Sequence, residues 1–143
     1  MDDINLILEG YSRIIEKYTF PNVEVQSIVV TNCDAAWEKI KADSIHLAIL
    51  DLNFPLDSYG EMGYREALGI KIRAHFPDIK LIILTEITDR VRIADLIKNI
   101  RPEGFLIKGE TNSQEIFRSL KTVLTGKKYY SSSLDQILQL VIK

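Results

Sequence analysis

Three short apolar runs constrain the fold of this chain more than any other feature. They are "LAIL" at 47–50, "LIIL" at 81–84 and "GFLI" at 104–107, and none alternates with polar residues. A strand that is apolar at every position is typical of a parallel sheet that is covered by helices on both faces. Segments with helical spacing separate the runs, so we predict an α/β protein with a parallel sheet.

The predicted elements follow one another along the whole chain. The β-branched segment 23–30 predicts a strand, and helices are predicted at about 33–42, 65–75, 88–100 and 112–124, with a short helix after Ser132. Thr88 and Asn112 are the predicted N-caps of the helices at 88–100 and 112–124. A long loop is predicted from 52 to about 65. Near the N-terminus, apolar residues three and four apart predict a first helix: Ile4, Ile7, Leu8, Tyr11, Ile14, Ile15 and Tyr18.

Composition excludes several classes of protein. The 143 residues suit one domain, and a net charge of −2 without a basic stripe gives no reason to expect direct nucleic-acid binding. Cys33 is the only cysteine, so the chain has no internal disulfide and no cysteine metal cluster. No apolar run approaches the ~20 residues that a membrane span needs. These features predict a cytoplasmic protein without a membrane partner.

Polar residues stand where the predicted strands end. Asp51, Thr85 and Lys108 each follow an apolar run, and Asp2 and Asp3 precede the predicted first helix, where a first strand would end. Carboxyl ends of parallel strands meet at one edge of the sheet, where ligands bind. Acids held together there favour a divalent cation. A hydroxyl and an ammonium group would stabilise a phosphoryl group, with Asp51 as its nucleophilic acceptor.

Four segments in order resemble the receiver domain of bacterial two-component response regulators: "DDINLILEGYSRIIE", "AILDLNFP", "LIILTE" and "GFLIKGE". The resemblance implies a flavodoxin-like, doubly wound parallel sheet with strand order 2-1-3-4-5 and helices on both faces. It also implies that a sensor histidine kinase phosphorylates Asp51, so that phosphoryl transfer to the chain itself and autodephosphorylation are the only expected chemistry. The chain is therefore not expected to be an enzyme.

The resemblance also implies a role for each site residue. Asp3, Asp51 and the backbone carbonyl of Asn53 would bind Mg²⁺, and Asp2 would act through water. Thr85 and Lys108 would bind the phosphoryl oxygens. A switch after phosphorylation would involve Thr85 and an aromatic position, here Phe105.

The segment "SQEIFRSLKTVLTGKKYYSSSL" resembles the last helix and linker of regulators that carry a C-terminal helix-turn-helix DNA-binding domain. We therefore predict a receiver domain at 1–126 and a linker with a short helix at 127–143. Phosphorylation would switch a partner surface, for transcriptional control. A homodimer would form through the face made by the fourth and fifth predicted helices (88–100 and 112–124) and the last strand (104–107), or through the terminal helix.

Two departures from the family leave alternatives open. The chain begins directly before the acid pair, so the first strand is expected to be missing or truncated. Upstream residues would then be absent, another chain would fill the gap, or the N-terminus would be rearranged. The 56–65 loop is longer than usual. A degenerate receiver that acts as a phosphate-independent interaction module is one alternative. A small phosphatase with an aspartyl nucleophile is a weaker one, because Asn53 stands where a second acid would be needed.

Overall fold

The computed structural model describes residues 2–9, 23–30, 33–52, 61–87, 89–135 and 137. They form a parallel six-stranded sheet with the order β2-β1-β3-β4-β5-β6. The strands are β1 Asp2–Glu9, β2 Val23–Val30, β3 Leu47–Asp51, β4 Lys80–Thr85, β5 Gly104–Ile107 and β6 Tyr129–Tyr130. The helices are α1 Cys33–Ala42, α2 Glu61–His75, α3 Arg90–Ile100 and α4 Ser113–Leu124. None of the helices in these ranges is long and apolar enough to cross a membrane.

The strand order confirms the predicted flavodoxin-like fold, and β6 adds a strand beside β5. Side chains of β3, β4 and β5 alternate between two apolar clusters, one on each face of the sheet. Helices α1, α2 and α3 cover the face that includes Leu50, Ile83 and Phe105, whereas α4 covers the face that includes Ile49 and Leu106. Because both faces are buried, each central strand is apolar at nearly every position.

The first strand is present, and the prediction that it is missing or truncated is wrong. Residues 2–9 form β1, which pairs with β2 along its whole length and with β3 from Leu6 to Glu9. The predicted first helix is therefore wrong for residues 4–9, and its remainder lies outside the described residues. The run from Ile4 to Leu8 satisfies a helical spacing, but a strand buried between two neighbours has the same apolar residues.

Local capping sets the ends of the last two long helices. The Asn112 side chain accepts a hydrogen bond of 2.9 Å from the Glu115 amide and begins α4 as predicted. Asp89 caps α3 by accepting from the amides of Val91 and Arg92, whereas the predicted cap, Thr88, lies outside the described residues. Helix α2 begins at Glu61, inside the predicted long loop. Residues 53–60 of that loop lie outside the described part.

The segment after α4 packs onto the sheet. Gly126 has a φ of 92°, which turns the chain after the helix. Tyr129 and Tyr130 then pair with β5 as β6, and a 3-10 turn, Ser132–Leu134, follows. Leu134 is buried among residues of the sheet and its helices. The predicted domain division at residue 126 stays a prediction.

Candidate functional site

The register of the sheet places polar residues in one row along its carboxyl edge. Asp51 pairs with Leu84, the residue before Thr85. Thr85 pairs with Ile107, the residue before Lys108. Along the row, each polar residue is therefore offset by one position from the polar residue on the next strand. Asp51, Thr85 and Lys108 thus lie side by side at one edge of the sheet. The sequence-based prediction that these strand ends converge is confirmed for Asp51, Thr85 and Lys108.

Asp51 and Lys108 form an ion pair at the centre of this edge. The Lys108 Nζ lies 2.7 Å from Oδ2 of Asp51, whose side chain is 0% exposed, while that of Lys108 is 20% exposed. Lys108 is the first residue of the 3-10 turn Lys108–Glu110, which directly follows β5. A buried carboxylate is costly to desolvate, and the ammonium group compensates part of that cost. The lysine side chain carries a compact charge on a flexible stem. Nζ could therefore move from the Asp51 carboxylate to the oxygens of a group bound to that carboxylate.

Thr85 places a hydroxyl between the strands that carry these two charges. Its side chain is fully buried, and Oγ1 accepts a hydrogen bond of 3.1 Å from the amide of Ile87. This bond holds the hydroxyl oxygen of Thr85 in place at the last position of β4. A hydroxyl also has one O–H to donate. The site thus combines a carboxylate, an ammonium group and a hydroxyl on a rigid sheet edge.

Asp2 and Asp3 do not lie at this edge, so their predicted placement beside Asp51 is wrong. They begin β1, where Asp2 pairs with Val23, and the strand runs six residues further from Asp3 to Glu9. At about 3.3 Å per residue, Asp3 is about 20 Å from the carboxyl end of its strand. The physical reason is that residues 2–9 are the first strand itself, rather than the loop that follows it.

Glu9 is the acid that β1 brings to the carboxyl edge, and it was not among the site residues predicted from the sequence. Glu9 pairs with Leu50, the residue before Asp51, and so continues the row formed by Asp51, Thr85 and Lys108. The signal was present in the sequence, because "INLILE" is an apolar run that ends in an acid, as "LAILD" is.

The predicted magnesium ligands can be tested against this placement. Of the predicted set, Asp51 lies at the edge, Asp2 and Asp3 lie at the opposite edge, and Asn53 lies outside the described residues. Within the described ranges, no three His, Cys, Asp or Glu residues form a group that could hold a metal. Mg²⁺ is commonly held by one or two carboxylates together with phosphate oxygens. Asp51 and Glu9, on adjacent strand ends, match that donor chemistry.

Phe105, the predicted aromatic switch position, is a core residue. Its side chain is fully buried, and its ring centroid lies 6.3 Å from that of Tyr130 in β6. Movement of this ring would require the neighbouring segment to move as well. The switch roles of Phe105 and Thr85 stay predictions.

No protein-family model matches the chain. Among curated proteins, the oxygen regulatory protein NreC of Staphylococcus epidermidis is 29% identical over 139 residues, which is 96% of this chain and 58% of that protein. NreC of Staphylococcus haemolyticus is 27% identical over the same shares. The chain therefore spans less than two thirds of the length of these relatives.

Solved structures share the fold over nearly the whole chain. The isolated REC domain of RcsB from Salmonella enterica serovar Typhimurium superposes with a TM-score of 0.72 and 22% identity, covering 95% of this chain and 98% of that one. A LuxR-family two-component response regulator from Aurantimonas sp. SI85-9A1 gives a TM-score of 0.70 with 14% identity and 97% coverage of both chains. The sheet order and these structures show that the chain has the fold of response-regulator receiver domains, and its sequence is similar to NreC over nearly its whole length.

Proposed function

We propose that the chain is a receiver domain of the response-regulator family and that it accepts a phosphoryl group on Asp51. The observation that carries the proposal is the buried Asp51 carboxylate held 2.7 Å from the Lys108 ammonium, with the Thr85 hydroxyl on the strand between them. A buried carboxylate at a sheet edge has little structural use, because an apolar residue would pack there at lower cost. An acceptor carboxylate, in contrast, must lie in such a shielded and rigid position to be oriented for attack.

The chemistry follows from these groups. A carboxylate oxygen of Asp51 attacks the phosphorus of a phosphohistidine on a sensor kinase. The new O–P bond forms as the P–N bond breaks, and the electron pair of that bond stays on the imidazole nitrogen. Lys108 and Thr85 bind the phosphoryl oxygens and stabilise their charge. Water later hydrolyses the acyl phosphate, so the chain modifies itself and turns over no separate substrate.

The proposed cofactor is Mg²⁺, which would be held by Asp51 and Glu9. When bound, it supplies positive charge between the carboxylates and the incoming phosphoryl oxygens. The role assigned to Glu9 replaces the one predicted for Asp2 and Asp3, because Glu9 is the β1 residue beside the end of β3. The Asn53 carbonyl remains a proposed further ligand.

The proposed output is a change of partner surface. Loss of the Asp51–Lys108 pair on phosphorylation would shift the turn after β5, and with it the face formed by α3, β5 and α4. One RcsB structure contains dimers bound to DNA, and another was solved with the phosphomimetic BeF3⁻. By analogy, we propose a cytoplasmic domain that pairs with a sensor kinase and a second copy of itself, within a transcriptional regulator.

A phosphate-independent interaction module is the second candidate, and one observation favours it. Glu9 is followed by Gly10, so the end of β1 has a single acid where a pair of acids was predicted. A site with fewer carboxylates has less repulsion for a cation to relieve, which weakens metal binding. If the chain acts in this way, the Asp51–Lys108 pair would keep the face formed by α3, β5 and α4 in one fixed conformation.

Phosphorylation with acetyl phosphate and Mg²⁺, followed by intact mass measurement, tests the proposal. Wild type is expected to gain the mass of one phosphoryl group, and Asp51→Asn is expected to gain none. Asp95→Asn is the matched control, because Asp95 is an exposed acid on α3. If wild type gains no adduct, or Asp51→Asn gains the same one, phosphoacceptor function is excluded and the interaction module is favoured.

A matched pair of variants tests the corrected metal ligand. Glu9→Gln is expected to raise the Mg²⁺ concentration needed for half-maximal labelling, while Asp3→Asn leaves it unchanged. The two residues lie on one strand but at opposite edges of the sheet. The reverse result would restore the original assignment of Asp3.

A further inference from the structure

Ser131 joins the segment after α4 to the end of β5. Its side chain is 8% exposed. Its backbone N–H donates to the carbonyl of Phe105 at 2.9 Å, and its Oγ accepts from the amide of Ile107 at 2.9 Å. Its own carbonyl accepts from the amide of Leu134 at 2.9 Å. The backbone N–H and the hydroxyl of Ser131 thus both form hydrogen bonds with β5, whereas its carbonyl bonds to the turn that follows.

This arrangement extends the sheet beyond its backbone pairing. In a parallel ladder, one residue bonds through its N–H and C=O to the two residues that flank its partner. The chain turns away after β6, and the Ser131 carbonyl is taken by the 3-10 turn Ser132–Leu134. The Ser131 hydroxyl replaces that carbonyl as the acceptor for Ile107. The buried amide that directly precedes Lys108 therefore has a partner.

The turn that carries Lys108 is held at further points. The carbonyl of Ile107 accepts from Oγ1 of Thr111 at 2.6 Å. At the end of the turn, Oε2 of Glu110 accepts from Oγ of Ser133 at 2.6 Å. Ser131 and Ser133 of the C-terminal segment thus contact both sides of the turn Lys108–Glu110. The path of that turn sets where the lysine side chain begins.

We propose that Ser131 is a positioning residue for Lys108, and that the segment at 129–134 is part of the phosphoacceptor site. The role rests on the proposed function of Asp51 and Lys108 in phosphoryl transfer. By holding the Ile107 amide, Ser131 fixes the backbone from which Lys108 reaches the Asp51 carboxylate. Without that bond the turn has several positions, and Nζ spends less time where a phosphoryl oxygen would bind.

The test compares two buried serines. Ser131→Ala removes the acceptor for Ile107, and Ser119→Ala removes a buried hydroxyl that donates to the Ile116 carbonyl within α4. Labelling by acetyl phosphate, corrected for the folded fraction, is expected to slow at least about tenfold in Ser131→Ala and to stay unchanged in Ser119→Ala. Ser131→Cys, which keeps the volume but offers a weak acceptor, is expected to slow labelling in the same direction.

Two measurements do not depend on phosphoryl transfer. In wild type, hydrogen exchange at the Ile107 amide is expected to be as slow as at central β5 amides. In Ser131→Ala, the NMR signals of the Lys108 side chain are expected to shift, and in Ser119→Ala they are not. Fast exchange at Ile107 in wild type would overturn the proposal even if Ser131→Ala failed to fold.

The outcomes separate this proposal from the function on which it rests. If wild type takes no phosphoryl group but the Lys108 signals shift in Ser131→Ala, the proposed function fails and the positioning of Lys108 stands. If wild type is labelled and folded Ser131→Ala is labelled at the same rate, the phosphoacceptor function stands and the role of Ser131 is excluded. An equal slowing in Ser119→Ala would also exclude it, because the effect would then follow from stability alone.

Discussion

Two buried ion pairs with the same N···O distance stand at opposite edges of the sheet. Arg73 and Glu103 are 2.7 Å apart at the amino edge, and Lys108 and Asp51 are 2.7 Å apart at the carboxyl edge. Their surroundings differ. The Arg73 guanidinium also donates to four backbone carbonyls, those of Pro77, Ile79, Ile100 and Arg101. Oε1 of Glu103 also accepts from the amide of Leu81.

The difference separates a structural ion pair from the pair at the proposed phosphoacceptor site. Arg73 presents donors in a rigid plane, and the bonds join the end of α2 to the end of α3 and to the loops before β4 and β5. Such a pair cannot change its partner without leaving several buried carbonyls unsatisfied. Lys108 instead offers a single flexible ammonium group at an edge where ligands bind in folds of this kind. Equal distance and similar burial therefore do not imply equal roles.

The largest expected effect is at the amino edge. Arg73→Met should lower the free energy of unfolding by about 3–5 kcal/mol, because it leaves Glu103 without its cation and buried carbonyls without donors. Urea unfolding followed by circular dichroism measures the loss. Arg118→Met is the control, since Arg118 is 60% exposed in its pair with Glu115, and it should cost less than about 0.5 kcal/mol. Equal losses in both variants would contradict the structural role of the Arg73 pair.

Tyr130, which lies at the same edge, should make the protein less stable at alkaline pH. Burial, followed by the charge of Glu103, raises the pKa of Tyr130 to about 12, and its hydroxyl donates to the Pro102 carbonyl at 2.6 Å. The folded state holds the proton more tightly than the unfolded state. The contribution of Tyr130 to the free energy of unfolding is therefore complete below about pH 10 and is lost as the pH rises to about 12. The expected loss is about 2–3 kcal/mol, measured by urea unfolding across that range. In Tyr130→Phe, this part of the decrease in the free energy of unfolding with pH should be absent. An unchanged decrease in Tyr130→Phe would show that Tyr130 is not its cause.

Two glycines at the two ends of β5 test the packing of the edges. A Cβ on Gly104, at the amino end, would lie 2.9 Å from Cγ1 of the buried Ile82, and one on Gly109, just beyond the carboxyl end, would meet no atom within 4 Å. Gly104→Ala should therefore cost about 1–3 kcal/mol through overpacking. Gly109→Ala should be nearly neutral in the same urea experiment. A neutral Gly104→Ala would mean that β4 and β5 can separate at their amino ends.

Much of the fold could be predicted because its strongest signals are local. The runs that became β4 and β5 are solidly apolar and end at turn residues, and the Asn112 cap needs only the amide of Glu115 three residues later. Asp51, Thr85 and Lys108 followed from the rule that parallel strands end at one edge. For these elements, the local sequence and the tertiary packing favour the same structure.

The rest depends on long-range contacts. The run from Ile4 to Leu8 fits either a helix face or a central strand, and only the pairing with β2 and β3 distinguishes the two. The predicted acids, Asp2 and Asp3, therefore lie at the opposite end of the strand from Glu9. Strand β6 has two residues in a polar stretch, so it has no period to detect. The pair of Arg73 with Glu103 joins residues 30 positions apart, and no local pattern predicts it.

Apart from the control variants, the smallest expected effect on stability is at Asp51, whose substitution is nevertheless expected to abolish labelling. Asp51→Asn should change the free energy of unfolding by less than about 1 kcal/mol, because removing the charge also removes the cost of burying it. The Lys108 ammonium can extend to water from its partly exposed position. Urea unfolding of Asp51→Asn beside Arg73→Met makes the comparison direct. A loss as large as that of Arg73→Met would show that the carboxyl-edge pair is also structural, whereas stability without labelling is the signature of a site that maintains a buried charge for chemistry.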